Sequence, residues 1–129
     1  MPPVVLPFVP SVGHYDFDCS IADALYTFEV RWNSRENVDK NGVPQGAWMF
    51  DIYEADETVV AQGLKINIGS YMGRYSTHSL FQNGVFAAID VSGDYLDPTF
   101  DDLGTFAGGQ RVEVRYYTEQ DLVAEGFAY

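Results

Sequence analysis

The chain of 129 residues contains 19 acidic and 7 basic side chains, and its formal net charge of −12 disfavours nucleic acid and anionic membranes as principal partners. Hydrophobic residues make up 47% of the sequence and aromatic residues 16%, which excludes a disordered chain and predicts one domain with a core of its own. The sequence has no run of about 18 apolar residues, so we expect no membrane-spanning helix.

Residues 1–13 are predicted to form an extended arm. This segment contains four prolines, and proline neither continues a helix nor donates a hydrogen bond within a central strand. The arm is therefore expected to be an edge strand or a lid. Because it also lacks a basic start, we expect no signal peptide. A first short strand is predicted at residues 14–17.

Residues 24–33 and 47–53 alternate between apolar and polar side chains, a pattern typical of half-buried strands. The polar segment 34–46 between them contains Asn41-Gly42, a strong turn signal, so we predict a hairpin with a long loop. A core position is favoured for both tryptophans, with a sugar-stacking platform as the alternative. The apolar faces comprise Tyr26, Phe28, Val30 and Trp32 in the first strand and Trp48, Phe50 and Ile52 in the second.

Three further strands are predicted at residues 58–67, 85–91 and 111–117, with a bulge or bend at Gly63. Strands separated by turns predict an all-β fold: a small antiparallel β-barrel or sandwich with long loops and extended terminal arms. The last strand is expected to turn Val112, Val114 and Tyr116 inward and Glu113, Arg115 and Tyr117 outward.

One β domain is predicted at residues 14–117, between the arm and a C-terminal tail at residues 118–129. The tail is too short to form a helix that is stable by itself.

The most acidic segment, residues 90–104, precedes the last predicted strand and holds five aspartates. Carboxylates this close repel one another unless they cap backbone groups, meet a cation or face water. A calcium site is one interpretation, but the ligand spacing of an EF-hand loop is missing. Capping is favoured: Asp97 or Thr99 is expected to begin one helical turn over residues 100–103, with Gly104 as its left-handed end.

No catalytic, cofactor or metal site is predicted. The two histidines, His14 and His78, lie in no recognisable serine or cysteine motif, and with Cys19 they form a poor set of zinc ligands. The many acids single out no glycosidase pair. Because Cys19 is the single cysteine, an intrachain disulfide is impossible, which favours synthesis in a reducing cytoplasm.

The order of several segments resembles the small baseplate plug proteins of contractile-tailed bacteriophages. The resemblance spans roughly residues 25–117, and its specificity comes from the ordered set rather than from one segment. It departs in a longer loop at residues 37–46 and a glycine-rich stretch at 106–110. The matching segments are RWN (31–33), WMFDIYEADE (48–57), GLKINIG (63–69), NGVFAAID (83–90), DPTFDDLG (97–104) and VEVRYY (112–117).

This resemblance implies a non-enzymatic structural protein of the virion, located in the tail baseplate and assembled in the host cytoplasm. It implies hub, tail-tube or other baseplate proteins as partners, and a symmetric homo-oligomer in the particle. It carries over no catalytic residue, cofactor or metal ligand. The apolar side chains of the two terminal segments are expected to contact neighbours, with the arm adding to a neighbour's sheet edge. They are Val4, Val5, Leu6, Phe8, Leu122, Val123, Phe127 and Tyr129.

Two other functions stay open from the residues alone. The first is a binding module for carbohydrate or another ligand, in which exposed tyrosines at positions Tyr71, Tyr75 or Tyr95 contact the ligand. The second is a hydrolase that acts through aspartate pairs or through His78.

Overall fold

A computed structural model describes residues 3–36, 38–68, 71–72, 78–93 and 96–124. Within these residues the chain forms nine strands and two short helices. Neither of these helices has the length and apolar character that a membrane crossing requires. The elements are β1 (Val4–Val5), β2 (His14–Ile21), β3 (Ala24–Asn33), β4 (Ala47–Glu54), β5 (Val59–Lys65), β6 (Tyr71–Met72), α1 (Ser79–Gln82), β7 (Gly84–Asp90), β8 (Leu103–Gly104), β9 (Val112–Thr118) and α2 (Glu119–Ala124).

The strands form two sheets that enclose the core. The first sheet has the order β2-β3-β4-β5, and each of its pairings is antiparallel. The second has the order β1-β9-β7-β6, also antiparallel, and β8 pairs in parallel with β9. The predicted all-β fold is confirmed in its sandwich form, because the described strands do not close into a barrel.

The β3–β4 hairpin forms at the predicted residues because both strands bury one face. Phe28 lies opposite Ile52 in the register, and Trp32 lies opposite Trp48. Phe28, Ile52 and Trp48 are fully buried, while Trp32 is half-buried. Alternation of apolar side chains thus places the same face of both strands against the second sheet.

The long loop of this hairpin is ordered by Asp39. The Asp39 side chain accepts hydrogen bonds from the backbone N–H groups of Asn41 and Val43, both at 2.9 Å. Gly42 takes a φ of 79°, which the turn requires and other residues rarely adopt. The predicted turn at Asn41-Gly42 is therefore confirmed.

The core between the sheets is rich in aromatic rings. Phe28 and Phe50 of the first sheet contact Phe86 of the second, with ring centroids 6.1 and 6.0 Å apart. All three side chains are fully buried. Burial of each ring stabilises the fold by about 1.5–3 kcal/mol. Packing of these rings therefore holds the two sheets together.

Gly63 marks the predicted bulge in β5. Its φ is 69°, and the register between β4 and β5 shifts on both sides of Ile52. The Gly63 N–H donates to the buried Asp51 Oδ1 at 2.7 Å, and Arg31 Nη1 donates to Asp51 Oδ2 at 2.8 Å. Burial opposes ionisation of Asp51, but the bonds from Gly63 and Arg31 outweigh it and lower the pKa of this carboxyl.

The N-terminal arm is part of the sandwich. Strand β1 pairs with β9, with Val4 opposite Tyr116, and the Leu6 N–H donates to the Val114 carbonyl at 3.0 Å. Leu6 and Phe8 are 0% and 3% exposed and lie in the core. The arm thus adds a strand to the chain's own sheet, whereas the sequence led us to expect addition to a neighbour's sheet.

Helix α2 covers the outer face of the second sheet. The Thr118 N–H donates to Asp121 Oδ2 at 3.0 Å, and the Asp121 N–H donates to Thr118 Oγ1 at 3.1 Å, a reciprocal cap. Leu122 packs on this face beside Tyr117, which was expected to face outward and is 2% exposed. The six-residue helix forms because it packs on the sheet, since its length alone does not stabilise it.

Gly84, the first residue of β7, provides a test of the close packing between β7 and β9. A Cβ atom there would collide with the Tyr116 ring and the Tyr117 carbonyl oxygen. We expect Gly84→Ala to lower the free energy of unfolding by about 1–3 kcal/mol, as overpacking does. Urea denaturation followed by tryptophan fluorescence measures this change. Gly13→Ala is the matched control, because its Cβ would lie 3.8 Å from the nearest atom, Phe100 Cε1. Equal losses in the two variants would contradict the prediction.

Candidate functional site

Residues 90–104, which we call the acidic connector, lead from the end of β7 through β8. The Phe100 ring stacks on Trp48 with centroids 5.6 Å apart and meets Trp32 edge-on at the same distance. Trp48 Nε1 also donates a hydrogen bond to the Thr99 carbonyl at 3.0 Å. Both tryptophans therefore anchor the acidic connector, and Phe100 takes the place that a sugar ring would occupy on Trp48.

Arg111, which directly precedes β9, holds the acidic connector through four acceptors. Its Nη1 atom donates to Asp90 Oδ2 and to the Leu96 carbonyl, the latter at 2.9 Å. Its Nη2 atom donates to Asp102 Oδ2 at 2.9 Å and to the Asp97 carbonyl at 3.2 Å. The planar guanidinium reaches all four because its N–H groups diverge in a fixed fork. The cation that meets these carboxylates is thus part of the chain itself.

The aspartates of the acidic connector also cap backbone groups, as predicted. Asp90 Oδ1 accepts hydrogen bonds from the N–H and the hydroxyl of Ser92 at 2.9 and 2.6 Å. Asp102 Oδ2 accepts from the N–H and the hydroxyl of Thr99 at 3.0 and 2.7 Å. Short local bonds of this kind order a loop without a bound ligand.

Two more aspartates tie the acidic connector to other parts of the chain. Asp97 Oδ1 accepts from the Ile68 N–H at 2.9 Å. Asp101 Oδ1 accepts from the Ser11 hydroxyl, in the arm, at 2.6 Å. The fifth aspartate, Asp94, lies outside the described residues.

The predicted helical turn over residues 100–103 is wrong. Residues 99–102 form a single turn, closed by the Asp102 N–H and the Thr99 carbonyl at 3.2 Å. The chain then extends into β8, whose pairing with β9 includes Gly104, so this glycine does not end a helix. The turn does not continue into a helix, because the Asp102 side chain bonds back to Thr99 and the next residues pair with β9.

The environment of the acidic connector stabilises the charged forms of Asp90, Asp102 and Arg111. Burial opposes ionisation of Asp90 and Asp102, but hydrogen bonds from Ser92 and Thr99 and the charge of Arg111 outweigh it. The pKa of both carboxyls therefore lies below the usual range. Burial also disfavours the charged form of Arg111, yet the two carboxylates outweigh it and raise the Arg111 pKa.

The described residues contain no group of three or more histidine, cysteine or acidic side chains arranged to hold a metal ion. In the acidic connector, the guanidinium of Arg111 lies between Asp90 and Asp102, where a bound cation would otherwise neutralise them.

Residues 5–119 match the sequence model of a family described as cyanophage baseplate Pam3 plug gp18. The chain belongs to this baseplate plug family. A comparison with curated proteins finds no relative that matches it. The resemblance read from residues 25–117 is thereby confirmed, and the match reaches further, into the N-terminal arm.

In this member of the plug family, the predicted interface residues differ in environment. Leu6, Phe8 and Leu122 are 0%, 3% and 1% exposed, so they pack within the chain itself. Val4 packs partly buried against the core, and Val5 is 43% exposed. Of these five side chains, Val5 is the one most accessible to a neighbour.

Several other predicted contact residues lie outside the part of the chain that the structure describes. Those outside the described residues are Phe127 and Tyr129 of the tail, Tyr75 and Tyr95 of the ligand-binding hypothesis, and the side chains of Val123 and Tyr71.

The two histidines considered for catalysis have structural partners. His78 Nδ1 accepts from the Leu80 N–H at 3.0 Å and thereby caps α1, and His78 Nε2 lies 3.1 Å from Glu54 Oε1. His14 Nε2 lies 3.2 Å from Glu29 Oε1 on the neighbouring strand. The Leu80 N–H, Glu54 and Glu29 are thus among the contacts of the two rings, and the His78 ring also meets Tyr26 edge-on with centroids 6.3 Å apart.

Arg111 is the residue that the sequence reasoning missed in this plug-family member. It was placed only at the start of the last strand. A signal was present in the charge pattern, because Arg111 is the first basic residue after the five aspartates in a chain with 7 basic residues. The first basic residue after such a segment is a candidate partner of its carboxylates.

Removal of the Arg111 guanidinium should destabilise the fold. We expect Arg111→Ala to lower the free energy of unfolding by about 3–5 kcal/mol, because the buried Asp90 carboxylate loses its cation. Arg111→Lys should recover part of this loss, since one ammonium group does not reach all four acceptors. Urea denaturation measures both variants.

The matched control is Arg35→Ala. Arg35 is exposed and forms no ion pair with a described residue, so its replacement should change the free energy of unfolding by less than about 0.5 kcal/mol. A loss in Arg111→Ala no larger than in this control would refute the role of the guanidinium.

Acid should remove most of the difference between the wild-type protein and Arg111→Ala. The folded pKa of Asp90 and Asp102 is lowered, so their ionised forms stabilise the fold above the unfolded value of about 3.9. This contribution is lost as the pH falls through the folded pKa, and the two proteins should converge in stability as both carboxylates become protonated. Thermal unfolding between pH 7 and pH 2 measures this, and a difference independent of pH would speak against it.

Proposed function

We propose that this protein is a structural component of a phage tail baseplate that acts through protein–protein contacts in the virion rather than through catalysis. The observation that carries the proposal is the family match over residues 5–119 of the 129.

The chemistry of the acidic connector supports a structural role. Its carboxylates at Asp90 and Asp102 cap turns and bind Arg111, and their pKa is lowered. A general acid near neutral pH needs the opposite shift, towards the pH at which it works. These aspartates are therefore suited to hold a loop in shape.

Exposed apolar side chains of the arm and the acidic connector support a contact surface for neighbours. Val9 and Val12 of the arm are 43% and 42% exposed, and Leu96 of the acidic connector is 62% exposed. The hydrogen bond between the Ser11 hydroxyl and Asp101 joins the two segments. We propose that a neighbouring baseplate protein covers this surface, because burial of apolar area drives most protein association.

The terminal residues predicted as an interface divide between two tasks. We propose that Val4 and Val5 of the arm and the tail residues Val123, Phe127 and Tyr129 contact neighbours. Leu6, Phe8 and Leu122 are buried in the chain itself, so they hold the arm and α2 in position against the two sheets.

Hub, tail-tube or other baseplate proteins are the proposed partners, and the protein is proposed to be repeated as a symmetric homo-oligomer, as closed assemblies of identical chains require. Its proposed location is the virion tail baseplate, after assembly in the host cytoplasm.

A phage whose gene for this protein is interrupted should assemble defective baseplates and lose infectivity. Complementation with the wild-type chain should restore it, and mass spectrometry of purified tails should detect the protein. Infectious particles without the protein, or purified tails that lack it, would contradict the proposal.

The contact surface is tested by complementation with Val12→Asn. We expect the substitution to weaken the contact by about tenfold, the change in Kd that corresponds to about 1.4 kcal/mol of binding free energy, and therefore to lower infectivity. Val59→Asn is the matched control, because Val59 is 50% exposed on the β5 edge, away from the arm. Both purified variants should unfold like the wild type.

A further inference from the structure

Strand β2 forms a long, regular edge of the first sheet. It pairs with β3 over all eight residues without a break in register. The opposite edge, β5, is interrupted by the bulge at Gly63, and β1, β6 and β8 have two residues each. Natural sheets shorten or bulge their edges to prevent unwanted strand addition, so among the described strands β2 is the one whose edge could accept a partner.

Backbone groups at alternate residues of β2 face away from β3. The Trp32 N–H donates to the Gly13 carbonyl at 2.9 Å, and these two residues continue the β2–β3 register by one position. Hydrogen-bonded and non-hydrogen-bonded pairs alternate along an antiparallel ladder. The free edge therefore carries the N–H and C=O groups of His14, Asp16, Asp18 and Ser20, of which the Ser20 carbonyl also accepts a hydrogen bond from the Cys19 thiol at 3.9 Å.

The side chains of the same residues make this edge acidic. Asp16 and Asp18 are exposed, and Asp16 lies opposite Glu29 of β3. Asp18 accepts a hydrogen bond from the Thr27 hydroxyl at 2.8 Å, and β2 contains no lysine or arginine. Opposite charges on directly facing strand positions stabilise a pair, so the edge favours a strand with cations at these positions.

The other face of β2 is apolar. Tyr15, Phe17 and Cys19 alternate with the acids and are half-buried against the core. Residues between the cations of an added strand would extend this apolar layer. The segment that fits is therefore extended, with lysine or arginine at every second position and apolar side chains between them.

A second copy of the chain does not fit this edge. Antiparallel pairing of two β2 strands would set Asp16 and Asp18 of one copy against the same acids of the other, and like charges destabilise such pairs. In the described part of the chain, four basic residues are ion-paired, and Arg35 and Lys40 lie in the β3–β4 loop rather than on a strand.

We propose that β2 receives an extended basic segment of a different protein by strand addition. Hydrogen bonds to the free backbone groups of β2 would provide affinity, and Asp16 and Asp18 would select the cations. The proposal rests on the proposed function in one respect, because the protein that supplies the basic segment is another baseplate protein.

The experiment titrates the full chain, labelled with ¹⁵N, with a synthetic peptide of alternating valine and lysine. The amide signals of His14, Asp16, Asp18 and Ser20 should shift, and their hydrogen exchange should slow. Asp16→Pro removes one free-edge N–H and leaves the β2–β3 bonds intact, because proline is tolerated on the open side of an edge strand. It should weaken peptide binding by about tenfold.

Two further variants separate the backbone from the charge. Asp16→Asn keeps the N–H, so it should lose only about two- to fivefold in binding, the effect of one exposed ion pair. The double variant Asp16→Lys, Asp18→Lys should reject the valine–lysine peptide and bind a valine–glutamate peptide. This double variant tests the proposal even if Asp16→Pro does not fold.

No shift at the four amides, equal binding by a folded Asp16→Pro, or no reversal of preference in the double variant would overturn strand addition. These readouts do not depend on the virion. If the protein is found in purified tails but does not bind the peptide, strand addition alone is overturned. If it binds the peptide but is missing from purified tails, the proposed function is overturned.

Discussion

The fork of hydrogen bonds made by Arg111 is the interaction on which the surrounding structure depends. One guanidinium binds two carboxylates and two carbonyl groups, and it thereby fixes the acidic connector where Phe100 packs on Trp48. In a chain with a net charge of −12, repulsion would otherwise drive so acidic a segment away from the protein. Loss of the guanidinium would then release the acidic connector and expose the tryptophan rings. The packing of this part of the core therefore depends on the charge of Arg111.

The strands could be predicted because alternation is a property of neighbouring residues. Strand β3 has the predicted bounds, and the bulge at Gly63 is where the glycine indicated. The positions that were wrong are buried by groups outside the alternating pattern of the strand. Glu113 was expected to face water, yet it is buried because it accepts hydrogen bonds from Arg115 and the Phe106 N–H. Tyr117 is buried by α2, whose stability comes from the sheet beneath it.

The acidic connector was recognisable from composition, and capping could be predicted in kind because an aspartate side chain bonds a residue two or three positions away. The capping side chains are Asp90 and Asp102, however, and not Asp97 or Thr99. Which of these acids Arg111 binds could not be predicted, since Arg111 follows Asp102 by nine positions and Asp90 by twenty-one, and the fold alone brings them together. The same limit applies to the arm. Whether Leu6 and Phe8 face a neighbour or the core depends on a pairing between opposite ends of the chain.

That pairing bears on how the protein is made. Val4 pairs with Tyr116, which comes far later in the sequence, so β1 leaves the ribosome long before its partner strand exists. Until β9 leaves the ribosome, Leu6 and Phe8 have no complete core to enter, and contacts this far apart in sequence form slowly. The second sheet therefore cannot be completed until β9 has been synthesised. A chain terminated before β9 lacks the strand that pairs with both β1 and β7, so it does not complete the second sheet.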